Sequence, residues 1–189
     1  MLKSIPEFGK YVAIAGFRNA QITDTERLLK EINGKKGLEV VVQLFDASLV
    51  TTWEHLYFAA LDSLTAFRNR ENISRSLAME TMLYASAQRQ IRKATELAGI
   101  KPATTEMALL IVGDSKKKVE RALAAIERSI KAQQDDSVLE ISDDKMRKIK
   151  KAFGISDLEI EAAKSRNRGI AKALVSLVVE RSALLATQH

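Results

Sequence analysis

The chain of 189 residues contains no cysteine, which removes disulfides, thiolate nucleophiles and thiolate metal sites together. It has two histidines, His55 and the terminal His189, too few for a histidine-based metal cluster or a catalytic triad. No glycine-rich phosphate cradle is present: Gly34 and Gly37 stand too close together, ahead of a strand instead of after one. No apolar run approaches the roughly 18–20 residues of a membrane span, so no membrane partner is expected. The opening Met-Leu-Lys-Ser-Ile-Pro-Glu lacks the charged and apolar regions of a secretory signal, which makes the cytoplasm the simplest compartment. Repeats, low-complexity tracts and linkers rich in Pro, Gly or Ser are also missing. One domain over residues 1–189 is expected, with a mixed α/β core to about 141 and a helical part over about 142–189.

Hydrophobic residues make up 46% of the chain, enough for an ordinary folded core. The net charge of +6 is unevenly placed: residues 1–65 are close to neutral, whereas 66–93, 115–131 and 143–172 each carry a net +4. Clustered cations of this kind suit either a polyanionic partner or solvated helix faces.

The Val/Ile-rich runs Tyr11–Phe17 and Glu39–Phe45 predict strands, with a turn at Asn33-Gly34 and Gly37 before the second. Thr51 and Glu54 fit a capping box, and Trp53, Leu56, Tyr57, Ala60, Leu61 and Leu64 then hold one face of a helix to about Phe67. A second helix is expected from Arg75 to about Ala98, capped by Ser74 and stopped by Gly99 and Pro102. Met107–Val112 reads as a strand buried on both faces, Val119 to Ile130 as a helix, and Val138–Ile141 as a short edge strand. From Ser142 the pattern is helical, with a stop at Gly154, a restart at Ser156-x-x-Glu159 and a terminal helix lined by Ile170, Leu174, Leu177, Val178, Leu184 and Leu185. The fold class is therefore α/β in the α+β sense: a mostly antiparallel sheet covered by helices, with a helical C-terminal third.

Residues 72–91 carry groups that a core helix does not need. Leu83, Ala87, Ile91 and Ala94 recur at helical spacing and should face the core. Arg75, Ser86 and the run Gln88-Arg89-Gln90 add donors and acceptors suited to phosphates, base edges or another chain's backbone. Against this, His55 beside Trp53 and Leu56 reads as a packed or rim histidine, and Asp135-Asp136 and Asp143-Asp144 as turn and capping residues. Glu80, alone in an apolar helix, reads as one half of an ion pair with Arg75 or Arg89, with a general base in a group-transfer enzyme as the remote alternative.

The segments Ile73-Ser74-Arg75-Ser76-Leu77, Leu83-Tyr84-Ala85-Ser86 and Gln88-Arg89-Gln90-Ile91, with His55-Leu56, Ala66-Phe67, Glu80, Ala94 and Gly99-Ile100 around them, form a recognisable set. It resembles the central motif of the small accessory subunit of the KEOPS tRNA-modification complex, the family known in animals as the PRPK-binding protein. Ala87 stands where that pattern has glycine. The resemblance implies a non-catalytic subunit without cofactor or metal, whose partners are a small atypical protein kinase/ATPase and tRNA. It implies gripping of the tRNA's single-stranded CCA tail while threonylcarbamoyl is installed on an adenosine. The residues expected to meet tRNA are Asn72, Ile73, Ser74, Arg75, Arg89, Gln90 and Lys93, although Ile73 also fits a hydrophobic staple on Leu77 or Ala78.

The terminal helix is apolar over more than one stripe, since Val175, Leu177, Val178, Val179, Leu184 and Leu185 cannot share one face at 100° per residue. Either the helix is buried on two sides, or Leu177, Arg181, Leu184 and Leu185 form the kinase-facing surface. A reading from another class also stands: residues 142–172 match a helix, a Phe-Gly-Ile-Ser turn and a basic helix, as in a helix-turn-helix DNA reader.

Overall fold

The computed structural model describes residues 1–33, 39–167 and 169–187. At its centre lies β4 (Met107–Gly113), buried along its whole length, as its unbroken apolar run predicts. It pairs antiparallel with β2 (Lys10–Arg18), Val12 opposite Val112, and on its other side with β3 (Val40–Asp46), Leu44 opposite Leu109. The strand β1 (Leu2–Ile5), unanticipated in the sequence, closes the order β1-β2-β4-β3. The two-residue β5 (Gln133–Gln134) continues that edge beside Phe17 and Arg18.

Alternation sends the two faces of the sheet to different helices. Ala13, Ala15, Phe17, Leu109 and Ile111 pack on α1 (Thr25–Asn33) and α5 (Lys116–Glu127) through Ile32, Val119 and Ile126. Val12, Ile14, Ala108, Leu110 and Val112 pack on α2 (Trp53–Asn69) and α3 (Leu77–Ser86). A third cluster, with Ile149, Phe153, Ile160, Leu174 and Val178, joins α6 (Asp143–Phe153), α7 (Asp157–Asn167) and α8 (Ile170–Ala183). The sheet is thus antiparallel throughout its described pairings and the C-terminal third is helical. Helix α1, not anticipated from the sequence, turns Leu28, Leu29 and Ile32 onto this core, and the turn at Gly34 and Gly37 lies outside the described residues. Among the described residues no helix is long and apolar enough to cross a membrane.

Three expectations need correction. The edge strand at Val138–Ile141 is instead a 3-10 turn over Asp136–Leu139. Asp135 accepts from the Ser137 amide at 2.9 Å, and Asp136 from the Gly16 amide at 2.8 Å, so the chain turns across β2 instead of pairing with it. Gly16 permits this approach: a Cβ there would meet Val138 Cγ2 at 2.5 Å. The capping box at Thr51 does not form. Helix α2 starts after Thr52 without a side-chain cap, and the hydroxyls of Thr51 and Thr52 are buried with no hydrogen-bond partner.

Most consequentially, the single helix expected from Arg75 to Ala98 is two. Ser76, not Ser74, is the N-cap of α3, and the Ser74 hydroxyl instead accepts from the Ser76 amide. Helix α3 ends at Ala87 in the left-handed region (φ 50°, ψ 39°), with the Ala87 and Gln88 amides donating to Tyr84 and Leu83. The chain restarts as α4 (Ile91–Ala98). The break changes the helical phase, so Ala94 remains buried while Ile91 is 48% exposed. Glycine adopts the left-handed conformation without the Cβ clash that alanine meets there. Ala87→Gly should therefore raise stability by about 0.5–1 kcal/mol in urea unfolding, net of glycine's entropy in the unfolded chain. A loss of stability would show that the Ala87 methyl packs more than it strains.

Candidate functional site

The loop between α2 and α3 is held from beneath. Glu80 is fully buried, and its carboxyl accepts from the Ile73 amide at 3.0 Å and the Ser74 amide at 2.6 Å. It is neither ion-paired with Arg75 or Arg89 nor presented to a substrate, which answers both earlier readings with a third. Asn72 donates to the Ser74 carbonyl at 2.9 Å, closing the loop on itself, and Ser74 is buried. With its backbone clamped, the loop turns Ile73 (36% exposed) and Arg75 outward. Ile73 is not a hydrophobic staple, because with Ser76 as N-cap the staple position belongs to Arg75.

At the other end of α3, about 15 Å away for a ten-residue helix, lies the turn Ala87–Gln90. The Arg89 guanidinium donates to the Leu185 carbonyl at 3.3 Å, tying this turn to the C-terminus. Gln90 and Lys93 are exposed on the first turn of α4. Tyr84 lies between the two ends. Its phenol is held above the ordinary tyrosine range by burial and then by the charges of Glu80, Asp62 and Glu71, with Arg89 acting the other way. The seven residues expected to meet tRNA thus form two groups flanking Tyr84: four on the clamped loop and three beyond the break in the helix.

Beneath these, His55 is a packed histidine. Its Nδ1 faces the Thr51 amide at 3.4 Å, and its Nε2 donates to the Ala85 carbonyl at 2.8 Å, which sets the tautomer because a carbonyl only accepts. Its ring meets Phe153 edge-on at 5.8 Å. Burial lowers its pKa to about 4, partly countered by the Ala85 hydrogen bond. Lys145 was not anticipated: its ammonium is buried against the Val138 carbonyl at 2.7 Å, and burial brings its pKa down to about 8.

Helix α8 has three occupied or exposed faces. One face meets α3, where the buried Ser182 hydroxyl donates to the Tyr84 carbonyl at 2.5 Å. A second face meets α6 and α7: Leu174, Leu177 and Val178 pack there, and Arg181 donates to the Phe153 carbonyl at 2.9 Å and pairs with Glu159 at 2.6 Å. The third face borders a groove of about 1000 Å³, lined by Val175 and Val179 on α8, Trp53 and Phe58 on α2, and Leu139 and Ile141 between them. The surplus apolar positions of the terminal helix are therefore real, but open at Val175 and Val179. Leu184 is 44% exposed, whereas Leu185, a candidate for the kinase-facing surface, is 1% exposed because the 3-10 turn Leu184–Thr187 folds it into the main core.

The helix-turn-helix reading does not fit this geometry. The inner faces of α6 and α7 are spent on α8, and α7, in the place of a recognition helix, carries three carboxylates against two cations. Lys164 is paired with Glu161, and Lys150 with Asp157.

Set against known proteins, residues 18–185 match the family described as kinase binding protein CGI-121. The chain belongs to the CGI-121 family. It is 32% identical over 142 residues to the regulatory protein Cgi121 of Methanocaldococcus jannaschii, a match covering 75% of this chain and 83% of that protein. The family match over residues 18–185 takes in both the clamped loop and the groove-lining face of α8. For a CGI-121 member, described as kinase-binding, the open apolar groove is the feature that bears on a protein partner.

Proposed function

We propose that this chain is a non-catalytic, cytoplasmic subunit of the KEOPS machinery for threonylcarbamoyladenosine. In this reading it binds a small atypical protein kinase/ATPase and recruits tRNA by its CCA tail. The family's description supports a kinase partner, and the groove between α2 and α8 is the surface we assign to it. Leu184, at the C-terminal end of α8, extends that surface; Leu177, Arg181 and Leu185 act as its internal support. The RNA half rests on one observation: an exposed Ile73 standing on a backbone that Glu80 holds fixed. A preformed apolar platform beside exposed cations suits a single-stranded end, because bases pack on it without an ordering cost while Arg75 and Lys93 meet phosphates.

The test is a set of binding isotherms at several salt concentrations for intact and tail-trimmed tRNA. Intact tRNA should bind more tightly, and equal affinity would falsify tail recognition. Ile73→Glu should weaken tRNA binding at least tenfold and leave kinase binding unchanged. Lys93→Ala should weaken it less and lower the salt slope by about 0.7, the share of one phosphate contact on a single strand. Arg89→Ala is a poorer probe, since Arg89 also anchors the C-terminal turn.

A further inference from the structure

The groove between α2 and α8 is apolar over most of its surface, but four carboxylates line it as well: Glu54, Asp136, Glu140 and Glu180. Asp136 is already engaged, its Oδ1 accepting from the Gly16 amide and its Oδ2 lying 3.7 Å from the Met1 ammonium. The side chains of Glu54, Glu140 and Glu180 make no hydrogen bond or ion pair among the described residues. Glu140 acts on the buried Lys145 ammonium only at longer range. Against these three charges the lining offers a single cationic side chain, Lys172. Lys3 holds its ammonium over the Trp53 ring, 5.4 Å from the centroid, and is not part of the lining.

In a chain with a net charge of +6, the groove is a local reversal of sign. The fold accounts for part of it. Glu54 stands in the first turn of α2, where the helix dipole favours a carboxylate. Glu180 stands in the last turn of α8, at the negative end of that helix, so the free protein gains nothing from its charge. Glu140 and Glu180 are both exposed. Such a surface repels phosphates, which closes the groove to RNA and keeps the two partners on separate surfaces. Its apolar part takes apolar side chains, and its unanswered carboxylates take cations.

We infer that the groove receives an apolar segment of the kinase flanked by lysine or arginine, and that Glu54, Glu140 and Glu180 select it by charge. The inference rests on the assignment of this groove to the kinase proposed above. Trp53, Phe58, Val175 and Val179 supply the affinity by excluding water from the apolar side chains that cover them. The carboxylates act mainly before contact: they draw a basic surface toward the groove and turn an acidic one away, which shows in the association rate more than in the dissociation rate. Lys172 works against the same partner, so its removal favours binding.

The experiment measures association and dissociation rates of the purified kinase with each variant at about 0.05 M and about 0.5 M salt, where charges are screened weakly and then strongly. The triple variant Glu54→Lys, Glu140→Lys, Glu180→Lys should associate at least about tenfold more slowly at low salt, with a dissociation rate close to wild type. At high salt its association rate should come within about threefold of wild type. Lys172→Glu should associate about threefold faster at low salt, a gain that damage to the fold does not produce. Thermal melts report folding, and the exposed single substitution Lys172→Glu decides the matter if the triple variant is unfolded. An unchanged rate in a folded triple variant, or slower association of Lys172→Glu, overturns selection by charge, while weakened binding of Val179→Glu keeps the kinase in the groove. Unchanged kinase binding by Val179→Glu removes the kinase from the groove and overturns this inference with that reading. A dimer of the free chain that Val179→Glu dissociates would assign the groove to a second copy instead, and overturns both.

Discussion

Val179→Glu should weaken kinase binding more than a hundredfold in a protein that unfolds close to the wild-type midpoint. Val179 is half-buried on the open face of α8, in the same groove as Trp53 and Phe58. In the free subunit a glutamate there reaches water, so the fold loses little. In the complex the charge is covered without a partner, which costs about 3 kcal/mol or more. Leu185→Glu provides the contrast. Leu185 is in the main core with Leu83 and Ala85, so a charge there should destabilise the free protein by about 3–5 kcal/mol, visible as collapse of the urea midpoint before any partner is added. Titration of the purified kinase with each variant, beside urea unfolding, separates the two. Unchanged affinity in Val179→Glu would move the kinase off this groove.

Stability should fall steeply between pH 6.5 and pH 4, and His55 should be a main cause. Its folded pKa of about 4 lies below the unfolded value of 6.5. Between these two values the unfolded chain binds a proton that the folded protein refuses, so stability rises with pH across that window. The contribution is fully present above 6.5 and lost as the pH falls through about 4. At about 1.4 kcal/mol per unit, it is worth about 3 kcal/mol. Asp62 acts in the opposite direction: with its pKa raised to about 6, the folded protein takes up the proton first, which offsets part of the loss. A comparison of His55→Gln with wild type isolates the histidine. The variant should be less stable at pH 7.5, where it loses the fitted imidazole, yet lose markedly less on acidification. Parallel curves for the two proteins would show that His55 does not titrate with unfolding.

The features legible in the sequence are those whose causes lie within a few residues. The alternation of Tyr11–Phe17 and the apolar run Met107–Val112 follow from the period of a strand against one face or two. The Ser142 cap, the Gly154 stop and the Ser156–Glu159 capping box are closed by groups three or four positions apart, and all three form. Residues 72–91 could be singled out because amides and guanidinium groups interrupt an apolar pattern there. Even the break at Ala87 left a trace, since glycine belongs at that position in the family pattern.

What only the tertiary structure decided depends on partners distant in the chain. Glu80 became a clamp for Ile73 and Ser74 because the loop folds back over α3 and offers two amides before any cation reaches the carboxyl. Leu185 went inward, and Val175 and Val179 outward, because α7 and the main core claim two faces of α8 and leave a third uncovered. The stretch Val138–Ile141 lost its strand to two aspartates that turn the backbone across Gly16, about 120 residues away in the chain. Caps and periodic faces are specified by near neighbours, whose spacing the covalent chain already sets. Which apolar face stays open depends on how separate elements are brought together, and that is where the proposed kinase and RNA surfaces are defined.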